Sequence, residues 1–155
     1  MKVLSVMAER CIGCRICEQW CAERHEQEPS KSHIHVQRLH AEYRNLPKVC
    51  HQCEESPCIK NCHFGALSKH PETGAIQVDE GKCTGCRLCA KNCPYDAIGY
   101  SSKIRKVHIC DLCNGQPQCV IHCPEGVLQY TERNEGRQFT ETNAGLWAEK
   151  GGFKV

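Results

Sequence analysis

The 155-residue chain is poor in the side chains that fill ordinary protein cores: it has three Phe, two Trp, four Tyr and two Met. Its hydrophobic fraction of 40% counts sixteen cysteines, so other apolar residues make up only about 30%. So thin a core needs an additional staple to fold. No apolar run approaches the length of a membrane span, so direct membrane insertion is not expected. The opening Met1–Arg10 has neither an apolar segment of secretory length nor a cleavage site, and we expect a cytoplasmic protein. No glycine-rich phosphate loop is present, so a nicotinamide or flavin would have to sit on another chain. Neither a nucleophilic triad nor a carboxylate pair can be drawn, and no catalytic residue is assigned. The formal net charge of +2 gives no support to nucleic-acid binding.

What the chain does have is cysteine in four groups: Cys11-Cys14-Cys17-Cys21, Cys50-Cys53-Cys58-Cys62, Cys83-Cys86-Cys89-Cys93 and Cys110-Cys113-Cys119-Cys123. Groups one and three read C-x2-C-x2-C-x3-C, the bacterial ferredoxin run, in which the fourth cysteine usually serves the other cluster of a pair. Groups two and four keep the outer spacings and lengthen the middle gap. Disulfides fit poorly, because cysteines two residues apart bridge each other with difficulty and no export signal is seen. Structural zinc usually takes two C-x2-C pairs across a longer spacer, a plan these groups do not follow. Four quartets of thiolates imply four [4Fe–4S] clusters, with all sixteen cysteines as iron ligands. Sixteen thiolates and four oxidised cores would bring the loaded chain to about −6. Ligand binding then becomes part of folding.

The segments after the groups repeat. Cys93-Pro94-Tyr95-Asp96-Ala97-Ile98 resembles Cys123-Pro124-Glu125-Gly126-Val127-Leu128, and Cys62-His63-Phe64-Gly65-Ala66-Leu67 follows without the proline. Each reads as a tight turn entering a short strand. Cys21-Ala22-Glu23-Arg24-His25 breaks the pattern, so group one must connect differently. Residues 66–69 and 75–78 flank a Pro/Gly turn and predict a hairpin. A hairpin between two cluster motifs is the layout of a two-cluster ferredoxin, so groups two and three form one unit and groups one and four flank it. Strands are expected at His33–Leu39 and Lys106–Ile109. Short helices are expected at Ile16–Trp20 and Arg87–Asn92.

Gly13, Gly85 and Gly115 let the backbone bend around sulfide, and Pro57 and Pro117 stiffen the longer ligand loops. Arg15, Lys60, Arg87 and Lys91 lie between ligands; they either favour the reduced cluster or are solvated surface charges. His51, His63, His108 and His122 adjoin cluster cysteines, but no quartet lacks a cysteine that a histidine would replace. Trp20, beside Cys21, reads as a shield against water. All-cysteine ligation leaves no open metal position for a substrate, which points to an electron carrier.

These motifs resemble the four-cluster iron–sulfur subunits of the dimethyl sulfoxide reductase type over about residues 8–130. Cys-x-Gly-Cys-Arg-x-Cys-Glu (Cys11 to Glu18) and Cys-Asp-Leu-Cys (Cys110 to Cys113) carry the likeness. The short chain and the stretch from Glu28 to Val36 look most like the small polyferredoxin subunits of tungsten aldehyde oxidoreductases. Subunits of carbon monoxide dehydrogenase and formate-linked hydrogenase systems are similar. Ala22 and His63 depart from the proline that often follows the fourth cysteine. The resemblance implies a nested pairing. Cys11, Cys14 and Cys17 would join Cys123; Cys110, Cys113 and Cys119 would join Cys21; Cys50, Cys53 and Cys58 would join Cys93; and Cys83, Cys86 and Cys89 would join Cys62. Sequential pairing uses the same spacings and stays open.

The expected fold is α+β, with two interlocked ferredoxin-like 2[4Fe–4S] lobes of short strands and short helices. Residues 1–45 and 101–130 would form the outer lobe, 46–100 the inserted lobe and 131–155 a partner-docking tail. The expected function is non-catalytic electron transfer between a tungsten or molybdenum pterin catalytic subunit, first of all a tungsten aldehyde oxidoreductase, and a flavin, NAD-type or other redox subunit. Further copies of the chain are conceivable partners. The alternatives are the iron–sulfur subunit of a molybdenum, carbon monoxide dehydrogenase or hydrogenase complex, a free soluble polyferredoxin, and a zinc-stabilised interaction module.

Overall fold

The computed structural model describes residues 1–26, 31–40 and 44–133. The proposed docking tail beyond residue 133, and the first three residues of the stretch opening at Glu28, lie outside the described residues. Secondary structure is sparse. Among the described residues, eight strands pair as four separate antiparallel two-stranded sheets: β1 (Lys2–Val6) with β8 (Leu128–Glu132), β2 (His35–Leu39) with β3 (Arg44–Lys48), β4 (Leu67–Lys69) with β5 (Ile76–Val78), and β6 (Gly99–Ser101) with β7 (Lys106–His108). Four α-helices accompany them among the described residues: α1 (Ile16–Arg24), α2 (Pro57–Lys60), α3 (Leu88–Lys91) and α4 (Gln118–Ile121).

The sheet that most constrains the chain joins its two ends. β1 pairs with β8 from Lys2 opposite Glu132 to Val6 opposite Leu128. Val3, Leu4 and Val6 are buried there with Leu128. The buried Ser5 is accommodated because its hydroxyl meets Thr131 Oγ1 at 3.2 Å. The Met1 amine closes the ribbon on Glu132 at 2.7 Å. The predicted hairpin is β4–β5, and Gly74 turns it with φ of 69°. The predicted strands after groups two, three and four are β4, β6 and β8.

Beyond the short helices α2 and α4, which were not among the expected elements, three elements lie outside the sequence expectations for physical reasons. β1 carries no turn signal to mark it, and its partner is more than a hundred residues away. β3 contains Pro47, which ordinarily argues against a strand; in a two-stranded sheet its missing N–H can face away from the partner. α1 runs four residues past the expected end at Trp20, because no proline or glycine follows Cys21 to stop it.

The core is thin and threaded by thiols. One buried cluster joins Leu4, Ile34, Leu46, Val49, Ile76, Val107, Ile109, Leu112 and Leu128 with cysteines from all four groups.

Candidate iron–sulfur site

Each cysteine group begins as an irregular loop and ends in a short helix, and left-handed residues make the change of direction. Arg15 and Arg87 both sit at φ 61° before α1 and α3, so groups one and three share one backbone path. Gly13 and Gly85 precede them at φ 75° and 71°. A side chain on Gly85 would collide with the Arg105 carbonyl, and one on Gly13 would fall 2.6 Å from Asn45 Oδ1. Gly85 is therefore required by φ and by space, and Gly13 chiefly by φ, since the Asn45 side chain it would meet can shift. Pro57 opens α2, and Pro117 precedes α4 in an extended conformation. Asp111 caps the fourth group's loop by accepting from Cys113 N–H at 2.9 Å.

The loops bring the cysteines together across the chain. Cys11, Cys14, Cys17 and Cys123 line one cavity with an empty volume of about 330 Å3. Cys50, Cys53, Cys58 and Cys93 line a second of about 330 Å3, and Cys62, Cys83, Cys86 and Cys89 a third of about 320 Å3. Cys21, Cys110, Cys113 and Cys119 face one another closely enough to interact electrostatically. Each set takes three cysteines from one group and one from another. Between sets, Cys17 approaches Cys119, Cys50 approaches Cys110 and Cys89 approaches Cys58. Cys14 and Cys86 are the exposed cysteines.

The electrostatics of these sets favour a cationic guest. Burial pushes the Cys58 thiol up to about 11, and the neighbouring Cys93 adds to the shift. Burial and then Glu18 push Cys17 up to about 12. Cys50, Cys110 and Cys119 are driven up in the same way, by burial first and by neighbouring cysteines after it. Thiolates this crowded repel one another unless positive charge lies between them, and an iron–sulfur core supplies it. The donor set is all soft sulfur, as such a cluster requires. The backbone also points toward sulfur. Cys62, Cys93 and Cys123 Sγ accept the N–H of Ala66, Ala97 and Val127 at 3.3, 3.5 and 3.3 Å. This is the physical content of the repeat after groups two to four. Group one, which lacks the repeat, solves the same problem at longer range: Cys21 Sγ accepts from His33 N–H at 3.3 Å.

The residues proposed to surround the sulfurs divide. Lys60, Lys91, Arg15 and Arg87 are exposed. Arg15 turns to Glu18 at 3.4 Å and to the Val36 carbonyl at 3.2 Å, and Arg87 lies over Tyr100 at 5.0 Å. His63 is exposed. His51 stacks on Tyr95 with ring centroids 3.8 Å apart, and burial holds its imidazole down at about 4. Trp20 stacks on His122 at 3.5 Å while remaining 40% exposed, so it covers little against water.

Sequence reasoning missed four residues. Glu18 is buried and accepts from Val36 N–H at 2.5 Å. Gln52 is wholly buried between two ligands. His25 donates through Nδ1 to the Cys21 carbonyl at 2.7 Å and through Nε2 to Asp111 at 3.1 Å. Asp111, Cys21 and then burial set its pKa, with the two partners winning and raising it to about 10. Both ring nitrogens are thus committed as donors to oxygen, which removes His25 as a metal ligand even though it lies near Cys21 and His33, and near Asp111 and Cys113. A polar residue inside a ligand run was the available signal for Glu18 and Gln52; nothing local marks the His25–Asp111 pair, which spans 86 residues.

Short antiparallel strand pairs, few helices and convergent sulfur quartets define a ferredoxin-like iron–sulfur protein. Residues 41–133 match the 4Fe-4S dicluster domain family, and the chain belongs to it. It is therefore a [4Fe–4S] protein of electron transport. It is 39% identical to the polyferredoxin-like subunit of an aliphatic sulfonate oxidoreductase from Pyrococcus furiosus, over 77% of this chain and 70% of that one. It is 31% identical to the electron transport protein HydN of Escherichia coli strain K12, over 86% of this chain and 89% of the relative. Among solved structures it resembles a chain of the active-site complex BamBC of benzoyl coenzyme A reductase as isolated. That likeness has a TM-score of 0.51 at 25% identity, and covers 94% of this chain and 90% of that one.

Proposed function

We propose that the chain is a non-catalytic electron-transfer subunit that holds four [4Fe–4S] clusters, one in each cross-group set of cysteines. The observation that carries this reading is the closure of every quartet by a cysteine from a different group. When bound, each cluster supplies reversible one-electron exchange. The chain's part is to hold the thiolates, to present backbone N–H groups to Cys21, Cys62, Cys93 and Cys123, and to limit access of water. The electrostatic influence of Cys17 on Cys119, of Cys50 on Cys110 and of Cys89 on Cys58 supports a series of sets, from Cys11, Cys14, Cys17 and Cys123 at one end to Cys62, Cys83, Cys86 and Cys89 at the other. Both ends carry an exposed ligand, Cys14 or Cys86, with an exposed Ile12 or Phe64 beside it. Those ends are the sites for exchange with other subunits.

The nested arrangement also motivates two interlocked lobes, an outer one (1–45 and 101–130) and an inserted one (46–100), joined where the β6–β7 hairpin crosses residue 100. The catalytic partner is a pterin-metal oxidoreductase, first a tungsten aldehyde oxidoreductase, with a flavin or NAD-type subunit as the acceptor. A second reading, in which the partner acts on a sulfonate, is favoured by the likeness to the Pyrococcus furiosus subunit. A thiolate-rich protein of this kind suits the reducing cytoplasm.

Anaerobic purification from native extract tests the whole reading. About sixteen iron and about sixteen sulfide per chain are expected, with a larger tungsten or molybdenum subunit in the same complex. Stoichiometric zinc overturns the cluster assignment, and a lone monomer overturns the subunit role.

A further inference from the structure

Gln52 lies between Cys50 and Cys53, its backbone is left-handed at φ 49°, and none of its surface reaches solvent. Its side-chain Nε2 donates to the Cys110 carbonyl at 2.6 Å, and its Oε1 accepts from Ile76 N–H at 2.8 Å. A peptide carbonyl only accepts and a peptide N–H only donates, so the two partners fix which end of the amide is which. The backbone carbonyl of Gln52 accepts from Arg133 at 2.7 Å. One residue thus ties together the second cysteine loop, the start of β5, the first cysteine of the fourth group and the end of β8. An apolar side chain of the same size would fill this space without requiring any partner. A buried amide is tolerated only where both its ends are satisfied.

The position of these bonds gives them a role. Cys50, two residues before Gln52, belongs to one central set, and Cys110, whose carbonyl accepts from Gln52, belongs to the other. From Cys50 to Cys110 the route is peptide backbone to Gln52, then its side chain, then one hydrogen bond. We propose that Gln52 is a positioning residue for electron transfer: its amide fixes the separation and relative orientation of the Cys50-Cys53-Cys58-Cys93 set and the Cys21-Cys110-Cys113-Cys119 set. The inference rests on the cysteine assignment proposed above. It adds a residue that ligates nothing and yet governs how two ligand sets face each other.

The test uses the anaerobically purified, fully loaded protein, reduced and examined by electron paramagnetic resonance, because spin–spin splitting between neighbouring reduced clusters depends on their separation and orientation. Gln52→Met keeps the volume and loses both hydrogen bonds. The expected result is unchanged iron and sulfide with an altered splitting. Gln52→Glu places a carboxyl in the same pocket, where burial favours the neutral acid. That acid can still donate to Cys110 and accept from Ile76, so wild-type splitting is expected. A fully loaded Gln52→Met protein with the wild-type splitting overturns the proposal. If Gln52→Met fails to load, Gln52→Glu decides: full iron with wild-type splitting supports the role, and full iron with altered splitting overturns it. Wild-type protein without iron defeats the cluster reading itself, whereas iron-loaded, fully reduced wild type without spin–spin splitting overturns the proposal alone.

Discussion

Glu18 offers the sharpest test of how the cysteine loops are held. It sits between Cys17 and Cys21 on α1, buried, and accepts from Val36 N–H on β2 at 2.5 Å. Arg15, 3.4 Å away, has a side chain 56% exposed. Replacing Glu18 by Ala leaves the Val36 N–H without its carboxylate and frees α1 from β2. A hydrogen bond to a charged group contributes about 1.5–3 kcal/mol. The Arg15 pair adds no more than about 0.5 kcal/mol, because solvent screens it. The expected cost is therefore about 2–3 kcal/mol. Loss of a cluster is irreversible, so the cost is read as a rate. Bleaching of the visible iron–sulfur absorbance in anaerobic guanidinium should accelerate by about 30- to 150-fold if the whole cost falls on the unfolding barrier. Glu18→Gln keeps an acceptor for Val36 and loses the charge, at about 1 kcal/mol or roughly fivefold. Removing that charge also relieves its repulsion of the Cys17 thiolate, which limits the damage further. An alanine variant that bleaches at the wild-type rate refutes the reasoning, as does a glutamine variant as fragile as alanine.

The pairing of cysteines can be counted directly. Cys11→Ser and Cys123→Ser should disturb one and the same cluster, so the double variant loses about four iron per chain, as each single variant does; a loss of about eight would show that they serve different clusters. Gly85→Ala should impair cluster loading far more than Gly65→Ala. Both glycines have positive φ, but a Cβ at Gly85 meets the Arg105 carbonyl while one at Gly65 meets nothing within 4 Å. The open position should cost roughly 1–2 kcal/mol, measured by the same bleaching assay. Stripping iron with a chelator under denaturant-free conditions should abolish amide dispersion in NMR spectra, since the core is interleaved with thiols; a folded, cooperatively melting apo-protein would contradict this.

The chemistry was legible in the cysteines. Cysteine spacing identified the cluster type, because a cubane needs several thiolates delivered by short, tightly turning loops. The β4–β5 hairpin was legible because both strands and their turn lie within thirteen residues. So were the strands after groups two to four, whose repeat reflects a local N–H to sulfur contact four residues on. What joins residues far apart in the chain emerged from packing. Pairing of β1 with β8, His33 N–H reaching Cys21, and the His25–Asp111 bridge leave no periodic trace in the chain. The same holds for Glu18 and Gln52: each is an ordinary polar residue until burial makes every one of its hydrogen bonds obligatory. Local spacing can specify which atoms bind iron, but which loops face each other is set by packing, where a buried polar group must find its partner wherever in the sequence that partner lies.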